Sequence, residues 1–193
     1  MKRILLAVGL VLAVTTSSFA LDKGQSEINV YGSIGTQEIK FDGGGKMTED
    51  TITVRTGYGY FITENLSLGG DLQLDDRTDK FGGSKNTTDT FVFDGSAKYH
   101  FMPKNVLVPY VGVQLGMSLS TSKQSGASDD TTTTGFAYGA MGGIKWFVSE
   151  NASFNAELNA LFASASSKTG GQSSDVTITD IKGLFGLSYY FGK

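Results

Sequence analysis

Few side chains in this 193-residue sequence are suited to chemistry: a single histidine, His100, no cysteine, and scattered carboxylates that include Asp71, Asp94 and Glu157. Two carboxylates can divide the work of general acid and base, and a histidine can relay a proton. One histidine with no thiol falls short of a structural or catalytic zinc set, so no metal and no other cofactor is expected. Gly43-Gly44-Gly45-Lys46-Met47 has the look of a phosphate loop, but the Ser or Thr after the lysine and a strand-to-helix setting are missing. Asp129, Asp130 and the Asp75-Asp76 pair could touch a divalent cation at the surface, although their polar neighbours read more simply as solvated loop. Asn65, Asn86 and Asn151 open N-x-S/T triplets and read as turn or loop residues. Whether the carboxylates and His100 can act depends on where the chain points them.

The elements that position them are strands. After Ala20 no amphipathic helix of useful length is found, and about eight segments alternate with period 2. Ile181 to Phe191 is the clearest. Ile181, Gly183, Phe185, Leu187, Tyr189 and Phe191 share one face; Lys182, Leu184, Gly186, Ser188 and Tyr190 share the other. The same division sets Ile28 and Val30 against Asn29 and Tyr31, and Ile52 and Val54 against Thr53 and Arg55. It continues with Leu72 and Leu74 against Asp71, Gln73 and Asp75, then Phe91, Phe93 and Tyr99 against Asp94, Lys98 and His100. Val113 and Leu115 oppose Gly112 and Gln114, Ile144 and Trp146 oppose Lys145, and Phe154 and Leu158 oppose Asn155 and Glu157. Val176 and Ile178 sit on the opposite parity to Ile181, so a bulge or an end projecting past the apolar band is expected near Asp180.

Connections alternate in length. Thr63-Glu64-Asn65, Met102 to Val106 and Val148 to Asn151 read as tight turns; Phe41 to Asp50, Asp76 to Asn86, Thr121 to Thr131 and Ser166 to Ser174 read as long polar loops. One unit recurs: Phe61-Ile62-Thr63-Glu64-Asn65-Leu66-Ser67 returns as Phe147-Val148-Ser149-Glu150-Asn151-Ala152-Ser153, which reads as one hairpin chemistry used twice. Residues 1–20 read as a secretory signal peptide, with Lys2 and Arg3 before an apolar run and Ser18-Phe19-Ala20 as the cleavage site. Residues 21–193 then form one domain. A net charge of −3 without a basic block argues against a nucleic-acid partner, and 26 glycines against 2 prolines suit strands and turns.

These features predict an all-β fold: a transmembrane, up-and-down antiparallel β-barrel of about eight strands, with short turns and both termini in the periplasm. The alternative is a soluble barrel, but that would crowd Phe, Leu and Tyr from every strand into a narrow lumen and leave the charges outside. In lipid the charged face turns inward, and Arg55, Asp71, Asp75, Asp94, Lys98, Lys145, Glu157 and Lys182 form a balanced set of four acids and four bases, with His100 among them. Such a packed interior offers a substrate no room. Tyr60, Tyr99, Phe101 and Trp146, with Tyr189 and Phe191, would form an interfacial girdle against outer-membrane lipid.

Gly57-Tyr58-Gly59-Tyr60-Phe61-Ile62-Thr63-Glu64-Asn65-Leu66-Ser67-Leu68, Pro109-Tyr110-Val111-Gly112-Val113-Gln114-Leu115-Gly116 and Gly186-Leu187-Ser188-Tyr189-Tyr190-Phe191 resemble the outer-membrane β-barrel domain family, which includes small OmpX-like and OmpA-like barrels and "porin family" proteins. The resemblance implies that Gly186, Tyr189 and Phe191 form the signal read by the barrel assembly machinery; Leu184 and the trailing Gly192-Lys193 depart from that pattern. The expected role is structural or surface-directed: envelope integrity, or adhesion to a surface or host partner through the loops, without catalysis. A narrow pore running past Gly57, Gly59, Gly112 and Gly139 is the alternative. A lipid-modifying outer-membrane enzyme comes third, because His100 falls on the inner face at the turn end.

Overall fold

Alternating apolar and polar residues leave each segment one face that must avoid lipid and one that seeks it, and a closed sheet satisfies both while leaving no edge. In a computed structural model the described residues are 21–40, 46–81, 84–124, 131–169 and 172–192. They form strands β1 (Ser26–Lys40), β2 (Lys46–Phe61), β3 (Leu66–Phe81), β4 (Ser84–His100), β5 (Leu107–Gln124), β6 (Thr131–Ser149), β7 (Ala152–Thr169) and β8 (Gln172–Phe191). Every neighbour is antiparallel, and β8 returns to β1 to close the barrel. The closed eight-stranded barrel expected from the alternation is thus the fold. Residues 1–20, Gly43 to Gly45, Asp129 and Asp130 lie outside the described residues.

The outward face is apolar for about ten residues per strand, as from Trp146 to Phe136 on β6 and from Phe191 to Ile181 on β8, which matches the span of a tilted membrane strand. Beyond that band the strands continue. In the four stretches expected as long loops, the described residues are strand: β2 starts at Lys46, β3 runs to Phe81, β5 to Gln124 and β8 from Gln172. The physical reason is cross-strand pairing by hydroxyls and charges. Thr88 pairs with Ser122 at 3.0 Å and Thr90 with Ser120 at 2.8 Å. Arg77 reaches Glu49 at 2.7 Å and Lys80 reaches Asp50 at 3.0 Å. Of the two expectations near Asp180, a bulge is not found and a strand end running past the apolar band is, because β7 and β8 stay in register from Ala152↔Tyr189 to Thr169↔Gln172. The register shift lies instead between Phe147 and Ser149.

The repeated turn unit caps strand ends. Asn65 accepts the His100 amide through its carbonyl at 2.6 Å and donates Nδ2 to the His100 carbonyl at 2.7 Å. Asn151 repeats both bonds with Tyr190, at 2.8 and 2.9 Å. Each Asn thereby satisfies the last backbone groups of β4 and β8, which an end frayed into lipid headgroups would leave exposed.

Closure is narrow. β1 and β8 pair only from Ser26↔Phe191 to Gly32↔Phe185, whereas β7 and β8 pair along the whole of β7. Within this seam Tyr31 stands opposite Gly186, and a Cβ on Gly186 would meet the Tyr31 ring at 2.8 Å and the Val30 carbonyl at 2.2 Å. Glycine is therefore required at 186 by close approach. Gly186→Ala should lower the unfolding free energy by ~1–3 kcal/mol and reduce the yield of heat-modifiable barrel. Gly32→Ala, whose Cβ meets nothing nearer than 3.8 Å, should leave both unchanged. Urea titration in lipid vesicles with gel migration tests the pair; equal behaviour of the two variants would remove the close-packing account.

Candidate functional site

The inward faces of the eight strands build the lumen, and its contents change along the axis. At the turn end Leu21, Phe61, Val108, Phe147 and Tyr190 make a buried apolar layer. Phe61 and Phe147, the first residues of the two repeat copies, both pack on Tyr190, with ring centroids at 6.4 and 5.0 Å. His100 joins this layer, 5.0 Å from Phe61 and 5.6 Å from Tyr110, and its ring nitrogens have no hydrogen-bond partner among the described residues. It packs as an aromatic.

Above that layer come ionic layers. Lys145 Nζ donates to Glu27 and, at 3.1 Å, to Tyr190 Oη, while Ser188 Oγ donates to the same Glu27 carboxylate. Arg55 donates to Glu157 at 2.6 Å, and Tyr110 Oη donates to the other Glu157 oxygen at 2.6 Å. The Arg55 guanidinium lies 4.6 Å over the Tyr31 ring, and Tyr31 and Tyr110 meet at 3.3 Å across the lumen. Lys98 stands 3.8 Å from Asp71, which accepts from Ser96 at 2.9 Å. Gln114 and Asn159 exchange two bonds of 3.1 Å. Lys182 bridges to Asp75 at 2.7 Å.

The structure thus brings Arg55 to Glu157, Lys98 to Asp71 and Lys182 to Asp75. Lys145 finds a carboxylate that the sequence reading did not place inside, Glu27. It precedes the segment recognised as alternating, but it shares the parity of Asn29 and Tyr31, and that was the available signal. Asp94 faces Asp71 across the β3–β4 register, and its Oδ1 lacks a partner among the described residues. Tyr60, Tyr99, Phe101 and Trp146 all face outward at the turn end, Trp146 with 55% of its surface exposed. Tyr189 and Phe191 face outward beside them, and Gly186 lies inward beneath Tyr31.

Three of the four glycines considered as a wet path are covered. Asp71 lies over Gly57 and Gln114 over Gly139, each closer than a Cβ would allow, and the Lys98 stem and Met141 would press on a Cβ at Gly112 at 3.0 and 3.1 Å; a Cβ at Gly59 would have only Glu27 near it, at 3.8 Å. Tyr110 likewise lies on Gly143, its opposite residue on β6. Interior glycine here is the seat for a large neighbour and not a vacant channel wall.

The far half of the lumen is different, and it corrects the expectation that the interior is packed throughout. A chamber of about 340 Å³ opens there, lined by β2, β3 and β8 on one side and β4 to β7 on the other. Its residues are mostly Thr, Ser and Ala, too small to meet across an eight-strand barrel, with Val92, Ala137, Leu161 and Ala163 forming an apolar cluster at its base. Beside it a gap of about 280 Å³ lies where β1 and β8 no longer pair, between Ser33 and Gly35 on one strand and Ile181 to Gly183 on the other. The flanking Ile34 and Phe185 are 84% and 71% exposed.

An outward apolar band, an inward ionic lumen and a strand order that closes on itself define a transmembrane β-barrel. The model of the outer membrane protein beta-barrel domain matches residues 5–191, and the chain belongs to that family, which places it in the bacterial outer membrane. No curated protein sequence matches the chain. Among solved structures, OprG of Pseudomonas aeruginosa aligns over 92% of this chain and 100% of its own, at 16% identity and a TM-score of 0.60. Neisserial surface protein A aligns over 89% and 98%, at 16% identity and 0.58. Outer membrane protein W of E. coli aligns over 88% and 99%, at 16% identity and 0.53. At such identities the likeness is one of fold.

Removing one partner of a buried pair leaves an uncompensated charge. Arg55→Met should cost ~3–5 kcal/mol of stability in lipid vesicles, and adding Glu157→Leu should recover most of it. A double variant no more stable than Arg55→Met alone would show that the two side chains do not act as a pair.

Proposed function

We propose that this protein is a non-conducting surface barrel of the outer membrane, with a structural role and with a polar rim that meets surface or host partners. The observation that carries the reading is the stack of interlocked layers across the lumen, from the Phe61, Phe147 and Tyr190 base through Lys145–Glu27 to Arg55–Glu157. Ions would have to break buried pairs and displace apolar side chains to pass. His100, held among aromatic rings away from the chamber, supports no catalytic role. Tight turns with both termini at one end and tall polar strands at the other support termini in the periplasm and a rim outside the cell. The rim includes the Arg77–Glu49 and Lys80–Asp50 pairs.

The refolded protein in planar bilayers should stay electrically silent while migrating as a heat-modifiable barrel. Discrete, reproducible conductance steps would overturn the reading in favour of a pore.

Biogenesis rests on the closing strand in this proposal. Tyr189 and Phe191, exposed at the end of β8, would be read by the barrel assembly machinery, with Gly186 on the opposite face. Phe191→Ala should lower the amount inserted in cells several-fold while the purified chain refolds normally in detergent. Unchanged insertion would remove Phe191 from the signal.

A further inference from the structure

We propose that the chamber at the far end of the lumen binds a small organic cation, an ammonium or guanidinium carried on a short hydrocarbon or ring. The inference goes beyond the surface role, since a silent barrel can hold or lack such a ligand.

The chamber is two-faced. Its ionic wall comes from β2, β3 and β8, and among its described residues there are four carboxylates, Glu49, Asp75, Asp79 and Asp180, but only two bases, Arg77 and Lys182. Each base is shared. Arg77 lies between Glu49 at 2.7 Å and Asp79 at 3.2 Å; Lys182 lies between Asp75 at 2.7 Å and Asp180 at 2.6 Å. Among these residues two negative charges are left over; Asp75 is also held by Thr53 at 2.6 Å and Gln73 at 2.9 Å, while Glu49, Asp79 and Asp180 keep lone pairs that a further donor can fill. On the opposite wall Thr88 bonds with Ser122 and Thr90 with Ser120, and beside the hydroxyls of Ser118 and Thr133 it offers a ligand the apolar surface of Val92, Leu161 and Ala163. About 340 Å³ is room for one small molecule. A ligand satisfying both walls has a cationic end and an apolar body. An anion would meet surplus negative charge, and a neutral isostere would forgo the attraction.

The test is a low-salt titration of the refolded full chain in zwitterionic micelles, followed by methyl resonances of Val92, Leu161 and Ala163. Benzylammonium, benzyl alcohol and benzoate serve as probes of matched size. Benzylammonium should give saturable shifts, and the other two should bind several-fold more weakly. Asp79→Asn with Asp180→Asn leaves one acid for each base and should weaken benzylammonium roughly fivefold or more with heat-modifiable migration intact. Ala163→Phe keeps every charge but fills the cavity and should abolish the shifts. Equal binding of benzoate or benzyl alcohol, shifts that never saturate, or undiminished binding by either folded variant would overturn the proposal. If a variant fails to fold, the three-probe comparison on the unaltered chain decides alone.

Discussion

A sheet in lipid cannot keep an edge, and in this chain the obligation falls on the short stretch where β1 meets β8. Seven residues of each strand, Ser26 to Gly32 and Phe185 to Phe191, hold the two ends of the sheet together. Everything inward depends on that seam. Tyr31 can lie flat only because Gly186 opposes it, and from there it supports the Arg55 guanidinium and touches Tyr110. Tyr110 rests on Gly143 in the same manner and donates to Glu157. Closing the sheet and filling its lumen are therefore one packing problem, solved by pairing a large side chain with a glycine across neighbouring strands.

Ion pairs in this lumen are better understood as a specification than as a source of stability. Desolvating Arg55 and Glu157 costs several kcal/mol per ion by general estimates, and their attraction offsets that only with good geometry. What the pairs contribute is register. Arg55 on β2 bonds to Glu157 on β7, and Lys145 on β6 to Glu27 on β1, so each bridge ties strands far apart in the sheet. A strand slipped by one residue would turn its charge into lipid. The lone Asp94 stands outside this scheme, facing Asp71 with one oxygen unpartnered among the described residues.

Alternation made the barrel legible in the sequence, along with the side of the wall on which each charge and each aromatic falls, because a period of two assigns each residue a face. It did not give strand length. Thr, Ser, Asp and Lys beyond the apolar band read as loop by composition, yet hydroxyl and charge pairs such as Thr90–Ser120 keep them in the sheet. Partners across the lumen were also hidden, since parity says that Lys145 points inward but not that it meets Glu27. The interior glycines were the most misleading signal. A glycine removes side-chain volume at its own position, and only the register reveals that Asp71 or Tyr110 takes up that space.

The two halves of the lumen follow from the sizes of the side chains that share a level. Near the turns, Phe61, Phe147, Tyr190 and His100 pack ring against ring across the lumen. Near the rim, Thr, Ser and Ala stop short of it, and charges on the opposite wall lean toward one another. Residue volume decides where the lumen is solid and where it is a cup, and beside the cup the wall itself opens between β1 and β8. A cup with packed layers below it has the shape to hold a solute. Enlarging the residues of its base would remove the cup without touching closure, since neither Leu161 nor Ala163 lies on β1 or β8. The chamber's ionic wall shares Asp180 and Lys182 of β8 with the opening beside the seam, so its apolar base is the part that can be altered while the paired seam serves as the control.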